Sequence, residues 1–252
     1  MSDDGLRGRV FLVTGSGRGL GAALARAAGA ERARVAVNCR RDAKAAEAVA
    51  ADVEKAGGEA FAISADVTDF EEASRLVEQV IARWGRIDVL INTVGAFNWN
   101  PLVEVAPVEW RRILGTNLDS VFHMCRLVVP HMRDRRFGRI VNFAAVGAAA
   151  TQGEPQMAAY SAAKAGVVAL SRALALEEAR CGITVNVVSP GLLKDESGSR
   201  AAAAADVMLG ERVPVGHAGR AADVVRAVLF FASPAAEFVT GQVVEVAGGS
   251  RP

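Results

Sequence analysis

The chain has 252 residues, of which 51% are apolar and 23% charged, and its formal net charge is +1. This composition suits one α/β domain with a large core and excludes a disordered chain. The near-neutral charge does not point to nucleic acid or to an anionic membrane, so we expect a small-molecule partner.

Three well-separated cysteines, Cys39, Cys125 and Cys181, lack C-x-x-C spacing. Their odd number and spacing disfavour a disulfide framework, and the scattered histidines do not suggest a metal site either. The first five residues are acidic where a signal peptide would be basic, and no apolar run approaches the ~20 residues of a membrane span. The sequence therefore predicts a cytoplasmic protein that holds no metal.

Short β-branched runs alternate with segments of helical period along the whole chain. Runs this apolar are typical of strands covered on both faces, and strand–helix–strand repeats require right-handed crossovers. We therefore predict a doubly wound parallel sheet in one three-layer α/β/α domain over residues 1–252. The predicted strands are 10–13, 34–37, 60–63, 89–91, 140–143, 184–188 and 243–246; predicted helices include 22–28, 43–55 and one beginning at Pro107.

The first strand leads directly into a glycine-rich turn, Thr14-Gly15-Ser16-Gly17-Arg18-Gly19-Leu20-Gly21, which opens the first helix. Glycines here let the backbone turn tightly and let a pyrophosphate approach the N–H groups at the helix N-terminus. The agreement of strand, turn and helix predicts a dinucleotide site.

The residues after the second strand indicate which dinucleotide binds. NAD-binding proteins place an acid there for the ribose 2′-hydroxyl, whereas NADP-binding proteins place a base for the 2′-phosphate. This chain has Asn38-Cys39-Arg40-Arg41, with no acid before Asp42, and Arg18 adds a cation in the turn. We therefore predict NADP(H).

Tyr160 and Lys164 stand four residues apart in a predicted helix, and Tyr160 is the only tyrosine of the chain. This spacing places the phenol and the ammonium on one helix face. A cation about 4 Å away could supply the roughly 4 kcal/mol that lowers a phenol pKa by about three units. The pair predicts a proton-transfer site.

Together these motifs resemble the short-chain dehydrogenase/reductase family, in particular its 3-oxoacyl-acyl-carrier-protein-reductase-like members, from Arg9 to Gly249. The resemblance implies a Rossmann-like, seven-stranded sheet and homotetramers or homodimers built through helices near 107–133 and 156–180. It implies Tyr160, Lys164 and Asn117 as catalytic residues, with Asn117 holding a water of the proton relay. The implied cofactor contacts are Gly15, Ser16, Gly17, Arg18, Gly19, Leu20, Gly21, Asn38, Arg40, Arg41, Asp66, Val67, Asn92, Gly95, Tyr160, Lys164, Pro190, Gly191 and Leu193.

One departure from the family concerns its catalytic serine, because Ala145 stands in the serine's place after the fifth strand. The loss of one oxyanion donor typically costs about 10²–10³ in rate. Three interpretations stay open: another group of the following segment substitutes, the substrate is a C=N bond that builds up no oxyanion, or the protein only binds nucleotide. The candidate substitutes are Thr151, Gln152, Glu154 and Gln156.

The sequence defines the substrate-binding residues less clearly than the cofactor-binding ones. Phe97 and Trp99 follow the fourth strand and could form an aromatic wall, since such loops border the crevice. Residues 192–212 are expected to form a lid, with Lys194-Asp195 where relatives carry a threonine. Glu154, Asp195 and Glu196 could attract a cationic substrate. The predicted function is NADPH-dependent hydride transfer to a C=O or C=N carbon; the alternative is an NADP-binding regulatory or scaffold protein.

Overall fold

The computed structural model describes residues 5–194 and 213–250, which form a seven-stranded parallel sheet with helices on both faces. All seven predicted strands are present, and most extend one or two residues beyond the predicted runs. The strands are β1 Val10–Thr14, β2 Arg34–Cys39, β3 Glu59–Ser64, β4 Val89–Asn92, β5 Gly138–Phe143, β6 Ile183–Pro190 and β7 Val243–Val246.

The strand order is β3-β2-β1-β4-β5-β6-β7. The chain winds outward from β1 in one direction and then, from β4, in the other. Loops at the carboxyl ends of β1 and β4 therefore diverge and leave a crevice, which is where open α/β sheets bind their ligands. The predicted Rossmann-like, doubly wound fold is confirmed.

Seven helices within the described residues cover the sheet: α1 Gly19–Ala30, α2 Ala43–Lys55, α3 Phe70–Trp84, α4 Pro107–Leu114, α5 Ser120–Arg135, α6 Ala158–Glu178 and α7 Ala221–Ala232. The side chains of β1 alternate, as a period of two requires. Phe11 and Val13 pack with α1, α2 and α7, whereas Val10 and Leu12 pack with α3, α5 and α6. The three-layer architecture follows from this alternation.

Local signals set several helix boundaries. The predicted helix over 43–55 has these bounds in the structure, and Asp42 caps it by accepting a hydrogen bond from the Ala45 N–H. Pro107 begins α4, where its missing N–H is not needed. The prediction of one long helix over 107–133 is wrong in one respect, because a π-helical turn at 115–119 separates α4 from α5.

An ion pair anchors the helix that carries Tyr160. Arg133 of α5 binds the fully buried Glu178 at the end of α6, with Nε 2.7 Å from Oε2. The bond from Glu178 raises the pKa of Arg133. Because Glu178 is buried, its charge requires this partner, and the pair fixes α6 against α5.

Several expectations remain predictions. Asp195, Glu196 and most of the lid over 192–212 lie outside the described residues, and the structure contains one chain, so the tetramer or dimer is untested. Within residues 5–194 and 213–250, no helix combines the length and apolar character needed to cross a membrane.

Candidate active site

The glycine-rich turn after β1 has the backbone shape that the sequence predicts. Gly15 and Gly19 have φ angles of +63° and +55°, which L-residues with side chains rarely adopt. A Cβ on Gly21 would lie 2.7 Å from the Gly15 carbonyl oxygen, so only glycine allows α1 to pack this closely on the turn. The turn can therefore bring backbone N–H groups against a bound group.

The first turn of α1 suits a pyrophosphate. Its N-cap residue, Arg18, makes no capping hydrogen bond through its side chain, and no acidic residue lies in the first turn. The initial N–H groups of a helix have no intrahelical acceptors and carry the positive end of the dipole. The residues present therefore fit a dinucleotide, whose phosphates would supply the missing acceptors.

Ser16 and Asn38 hold this turn through side-chain hydrogen bonds to the protein backbone. The Asn38 Oδ1 atom accepts from Gly15 N at 3.1 Å, and its Nδ2 atom donates to the carbonyls of Cys39, Ile63 and Ala65. The Ser16 hydroxyl donates to Val13 O and accepts from Asn38 N. Both side chains are buried and paired with protein, so the cofactor contact expected of Ser16 and Asn38 stays a prediction that would use their backbone.

Three arginines surround the region where the adenosine end is expected. Arg18, Arg40 and Arg41 are all exposed. Within the described part of the chain, only Arg40 of the three has an ion-pair partner, Asp66 Oδ2 at 3.5 Å. Burial pushes the Asp66 pKa upward, but hydrogen bonds from Thr68 and the Arg40 charge outweigh it and hold the pKa below its ordinary value. Asp66 is therefore an ionised acceptor beside Arg40.

Tyr160 and Lys164 occupy the same side of α6, as their spacing predicts. The Lys164 Nζ atom lies 5.6 Å from the centre of the Tyr160 ring and donates to the Phe143 carbonyl oxygen at 2.9 Å. Phe143 ends β5, so this bond ties α6 to the carboxyl edge of the sheet. The pair thus faces the crevice at the switch point.

The Tyr160 pKa is raised in the protein alone, and the lowered pKa expected for the NADP complex stays a prediction. Burial raises the pKa of the Tyr160 phenol and lowers the pKa of Lys164 to about 8. The Lys164 ammonium contacts the Phe143 carbonyl and the face of the tyrosine ring. The removal of both groups from water therefore shifts the two pKa values more than the attraction between the ammonium and an ionised phenol does. A phenol with a raised pKa keeps its proton at neutral pH, so Tyr160 carries the proton that a general acid needs.

The buried Lys164 is expected to destabilise the fold at neutral pH. A pKa near 8 in place of about 10.4 corresponds to about 3 kcal/mol against the charged form. Lys164→Met removes this buried charge but also the hydrogen bond to Phe143 O, which offsets part of the gain. The variant should therefore raise the free energy of unfolding at pH 7 by roughly 2 kcal/mol. Urea unfolding at pH 7 measures this gain.

The gain should shrink between pH 8 and about 10.4, where the unfolded wild type binds more protons than the folded one and wild-type stability rises with pH. Lys44→Met, at an exposed position of α2, is the matched control and should change stability little at either pH. Equal stability of Lys164→Met and wild type at pH 7 would contradict the prediction.

Asn117 lies in the π-helical turn between α4 and α5 and is fully buried. Its Nδ2 atom donates to Ala96 O at 2.6 Å and to Ile113 O at 2.9 Å, while its Oδ1 atom has no hydrogen-bond partner among the described residues. A Cβ on Gly95 would lie 2.8 Å from that oxygen and 3.7 Å from Lys164 Nζ. A free acceptor beside the lysine suits a water-mediated proton relay.

The segment after β5 contains no obvious substitute for the serine. Ala145 is partly exposed, whereas Thr151, Gln152, Glu154 and Gln156 are all exposed. The Thr151 hydroxyl donates to the adjacent Ala150 carbonyl. Glu245 of β7 holds this segment by accepting a hydrogen bond from Gly147 N at 2.8 Å, a contact that no sequence pattern indicates.

The remaining predicted cofactor residues lie at or after the carboxyl ends of β3, β4 and β6. Pro190, Gly191 and Leu193 border the crevice beyond β6, where a Cβ on Gly191 would come within 2.7 Å of Ala247 Cα. Asn92 is buried, its Nδ2 atom donates to Asn142 Oδ1 at 2.8 Å, and its Oδ1 atom has no partner among the described residues, so its cofactor contact stays a prediction. Val67 contributes its backbone carbonyl to a contact with His123.

The aromatic residues after β4 lie beside the tyrosine. The Phe97 ring meets the Tyr160 ring edge to face, with 6.3 Å between centroids, and 65% of Phe97 and 62% of Trp99 is exposed. No group of three potential metal ligands occurs in the ranges that the structure describes. The site therefore combines a dinucleotide turn, a protonated phenol, a buried lysine and an open aromatic rim.

This fold and this site define a dinucleotide-dependent oxidoreductase, and comparisons with known proteins agree. The family profile described as enoyl-(acyl carrier protein) reductase matches residues 15–251. A crystal structure of a protein assigned as a short-chain alcohol dehydrogenase, from Sinorhizobium meliloti 1021, superposes with a TM-score of 0.87 at 30% identity, covering 96% of each chain. The chain belongs to the short-chain dehydrogenase/reductase family.

Curated relatives cover nearly the whole chain. The 3-oxoacyl-(acyl-carrier-protein) reductase FabG of Haemophilus influenzae is 38% identical over 244 residues, 97% of this chain and 98% of the relative. FabG of Staphylococcus epidermidis is 37% identical over 239 residues, 94% and 97% of the two chains. The 3beta-hydroxysteroid dehydrogenase 1 of Eggerthella lenta is 37% identical over 249 residues, 98% and 95%.

Proposed function

We propose that this protein is an NADPH-dependent reductase that adds hydride to a C=O or C=N carbon of a small organic substrate. The observation that carries the proposal is the position of Tyr160 and Lys164, which face the crevice beside Gly95 and Asn117. The dinucleotide supplies the hydride when bound. Tyr160 supplies a proton to the substrate heteroatom, and Lys164 holds the nicotinamide ribose.

The raised pKa of Tyr160 supports its role as the proton-bearing group of a reduction near neutral pH. A general acid must carry its proton when the heteroatom becomes basic, and a buried phenol does so. The free oxygen of Asn117 supports reprotonation through a water chain past Lys164. The relatives named as 3-oxoacyl and 3beta-hydroxysteroid enzymes favour a carbonyl substrate.

Ala145 favours C=N as a second substrate chemistry. If this residue occupies the position of the family's serine, the site lacks one donor for a developing oxyanion. A protonated imine develops no negative charge on its heteroatom as hydride arrives, so this loss would matter less. Exposed Glu154, near the rim, would favour a cation.

Consumption of NADPH with a panel of ketones, quinones and cyclic imines tests the proposal. Turnover with at least one class is the expected result, with the chemical class read from the ratio of kcat/KM values. Tight binding of NADPH without turnover on any class would favour the alternative of a nucleotide-binding regulatory or scaffold protein.

The preference for NADPH is expected to depend on Arg40 and Arg41. Replacing both with leucine should lower the ratio of kcat/KM for NADPH over NADH by roughly 10- to 100-fold, because charge-assisted bonds to the 2′-phosphate are lost. Steady-state kinetics with the two cofactors measure the ratio. Arg75→Leu, at an exposed position of α3, is the control for the loss of an exposed arginine away from the site. An unchanged ratio in the double variant would show that the phosphate lies elsewhere.

A further inference from the structure

Asn98, in the loop after β4, has a side chain that the protein leaves unsatisfied. Its Oδ1 and Nδ2 atoms are both shielded from solvent, and neither has a hydrogen-bond partner among the described residues. Most buried polar groups in proteins are paired, so such an exception needs an explanation. Asn100 provides the contrast, because it is exposed and its contact with Gln156 O is made by its backbone N–H, at 2.9 Å.

The loop that carries Asn98 is held at both ends beside the phenol. At one end Ala96 O accepts from Asn117, and at the other Asn100 N donates to Gln156 O. Between these anchors, Phe97 and Trp99 leave most of their surfaces open, and the Phe97 ring meets the Tyr160 ring. The unpaired carboxamide therefore belongs to a residue flanked in the chain by two largely exposed aromatic residues, one of which contacts the Tyr160 ring.

A carboxamide offers an acceptor oxygen and a donor nitrogen side by side. Its complement is a ligand edge that presents a donor next to an acceptor, as a lactam or a cyclic imide does. Aromatic side chains add stacking surface for a flat ring. A saturated acyl chain would use neither feature, and a fused hydrocarbon ring would leave the amide of Asn98 unpaired.

From these observations we propose that Phe97, Asn98 and Trp99 form a recognition site for a flat heterocyclic substrate that carries a lactam or imide edge. Asn98 pairs with this edge and thereby orients the reducible carbon towards Tyr160. The inference rests on the proposed function, since it names the substrate class of the same pocket. Asn98 acts here as a specificity residue that touches substrate.

Isatin and N-methylisatin provide a matched pair of probes. Both present a ketone on a flat bicyclic ring, but only isatin has a lactam N–H beside the lactam carbonyl. Calorimetric titration of the NADP⁺-loaded protein should give a Kd for isatin at least tenfold lower than for N-methylisatin. Asn98→Leu should abolish this difference by weakening isatin alone, and Asn100→Leu should retain it.

Thermal unfolding adds a readout that separates recognition from a structural role. Because Asn98→Leu removes two unpaired polar atoms, its Tm should equal or exceed that of the wild type while isatin binding weakens. A difference between the two probes that survives in Asn98→Leu, or the absence of any difference in the wild type, would overturn the proposal, as would a failure of isatin to bind.

These outcomes are distinct from failure of the proposed function. Calorimetry reports recognition whether or not hydride is transferred, whereas NADPH oxidation with the ketone panel reports turnover. Turnover of simple ketones that is insensitive to Asn98→Leu, with no preference for isatin, would leave the reductase in place and remove only the heterocycle site.

Discussion

Replacing Tyr160 with phenylalanine is expected to lower kcat for reduction by roughly 10³-fold, because general acids typically contribute 10²–10⁴. The change removes only the hydroxyl and keeps the ring that Phe97 contacts. Dinucleotide affinity should therefore remain within about twofold of wild type, as measured by fluorescence titration with NADPH. A fall in kcat with unchanged affinity identifies the phenol as the proton donor.

The control for Tyr160→Phe is another hydroxyl in the same region. Thr151 is exposed and its hydroxyl donates to the Ala150 carbonyl, so Thr151→Val should leave kcat nearly unchanged. Equal losses in the two variants would indicate a general disturbance of the segment before α6. Full activity of Tyr160→Phe would remove the phenol from the mechanism altogether.

The pH dependence of that reaction follows from the burial of the phenol. Because burial raises the Tyr160 pKa, reduction should persist at neutral and mildly alkaline pH and fall only as the phenol ionises. Oxidation, which needs the ionised phenol as a base, should rise with pH over the same range. The lysine that was expected to lower this pKa is itself desolvated, and its pKa falls to about 8.

The sequence was sufficient to predict the fold because its signals are local. Strands buried on both faces require apolar runs, and helix ends use residues such as Asp42 and Pro107 that act within one turn. The position of the glycine turn between the first strand and the first helix also located the crevice. These features depend on neighbours in sequence, so periodicity and composition reveal them.

The parts that could not be predicted depend on contacts between distant residues. The place of Asn38 near the end of β2 predicts a cofactor contact, yet its Nδ2 atom donates to the carbonyls of three residues at the ends of β2 and β3. The direction of the Tyr160 pKa shift depends on how deeply α6 is buried and on the carbonyl that Lys164 selects. Glu245, which holds Gly147, is about a hundred residues away in the chain.

The site also illustrates where a protein tolerates a stability cost. Lys164 is buried at a cost in its protonated form, and Asn117 keeps an unpaired oxygen within the core. Both lie beside Gly95, and no carboxylate pairs with Lys164 among the described residues. Destabilising groups that gather at one place are typical of functional sites, because binding and proton transfer require partners that are missing in the protein alone.

Ala145→Ser is expected to increase kcat/KM for ketones by roughly 10- to 100-fold. Ala145 is partly exposed and follows β5, so a hydroxyl can be added without filling the core. If the residue lies where relatives place their serine, the new hydroxyl donates to the developing oxyanion, an interaction worth about 10²–10³ in rate. For a cyclic iminium the same variant should change kcat/KM by less than about threefold, because no oxyanion forms.

Comparing ketone and iminium substrates across these variants tests whether the wild-type site lacks an oxyanion donor at Ala145. Ala150→Ser introduces the same group into the same segment at an exposed position and should leave both substrates unaffected. A gain confined to ketones in Ala145→Ser would show that the wild-type site lacks an oxyanion donor and that C=N reduction does not need one. No gain with ketones would mean instead that another group already supplies that hydrogen bond, or that the segment before α6 places residue 145 away from the reacting atoms.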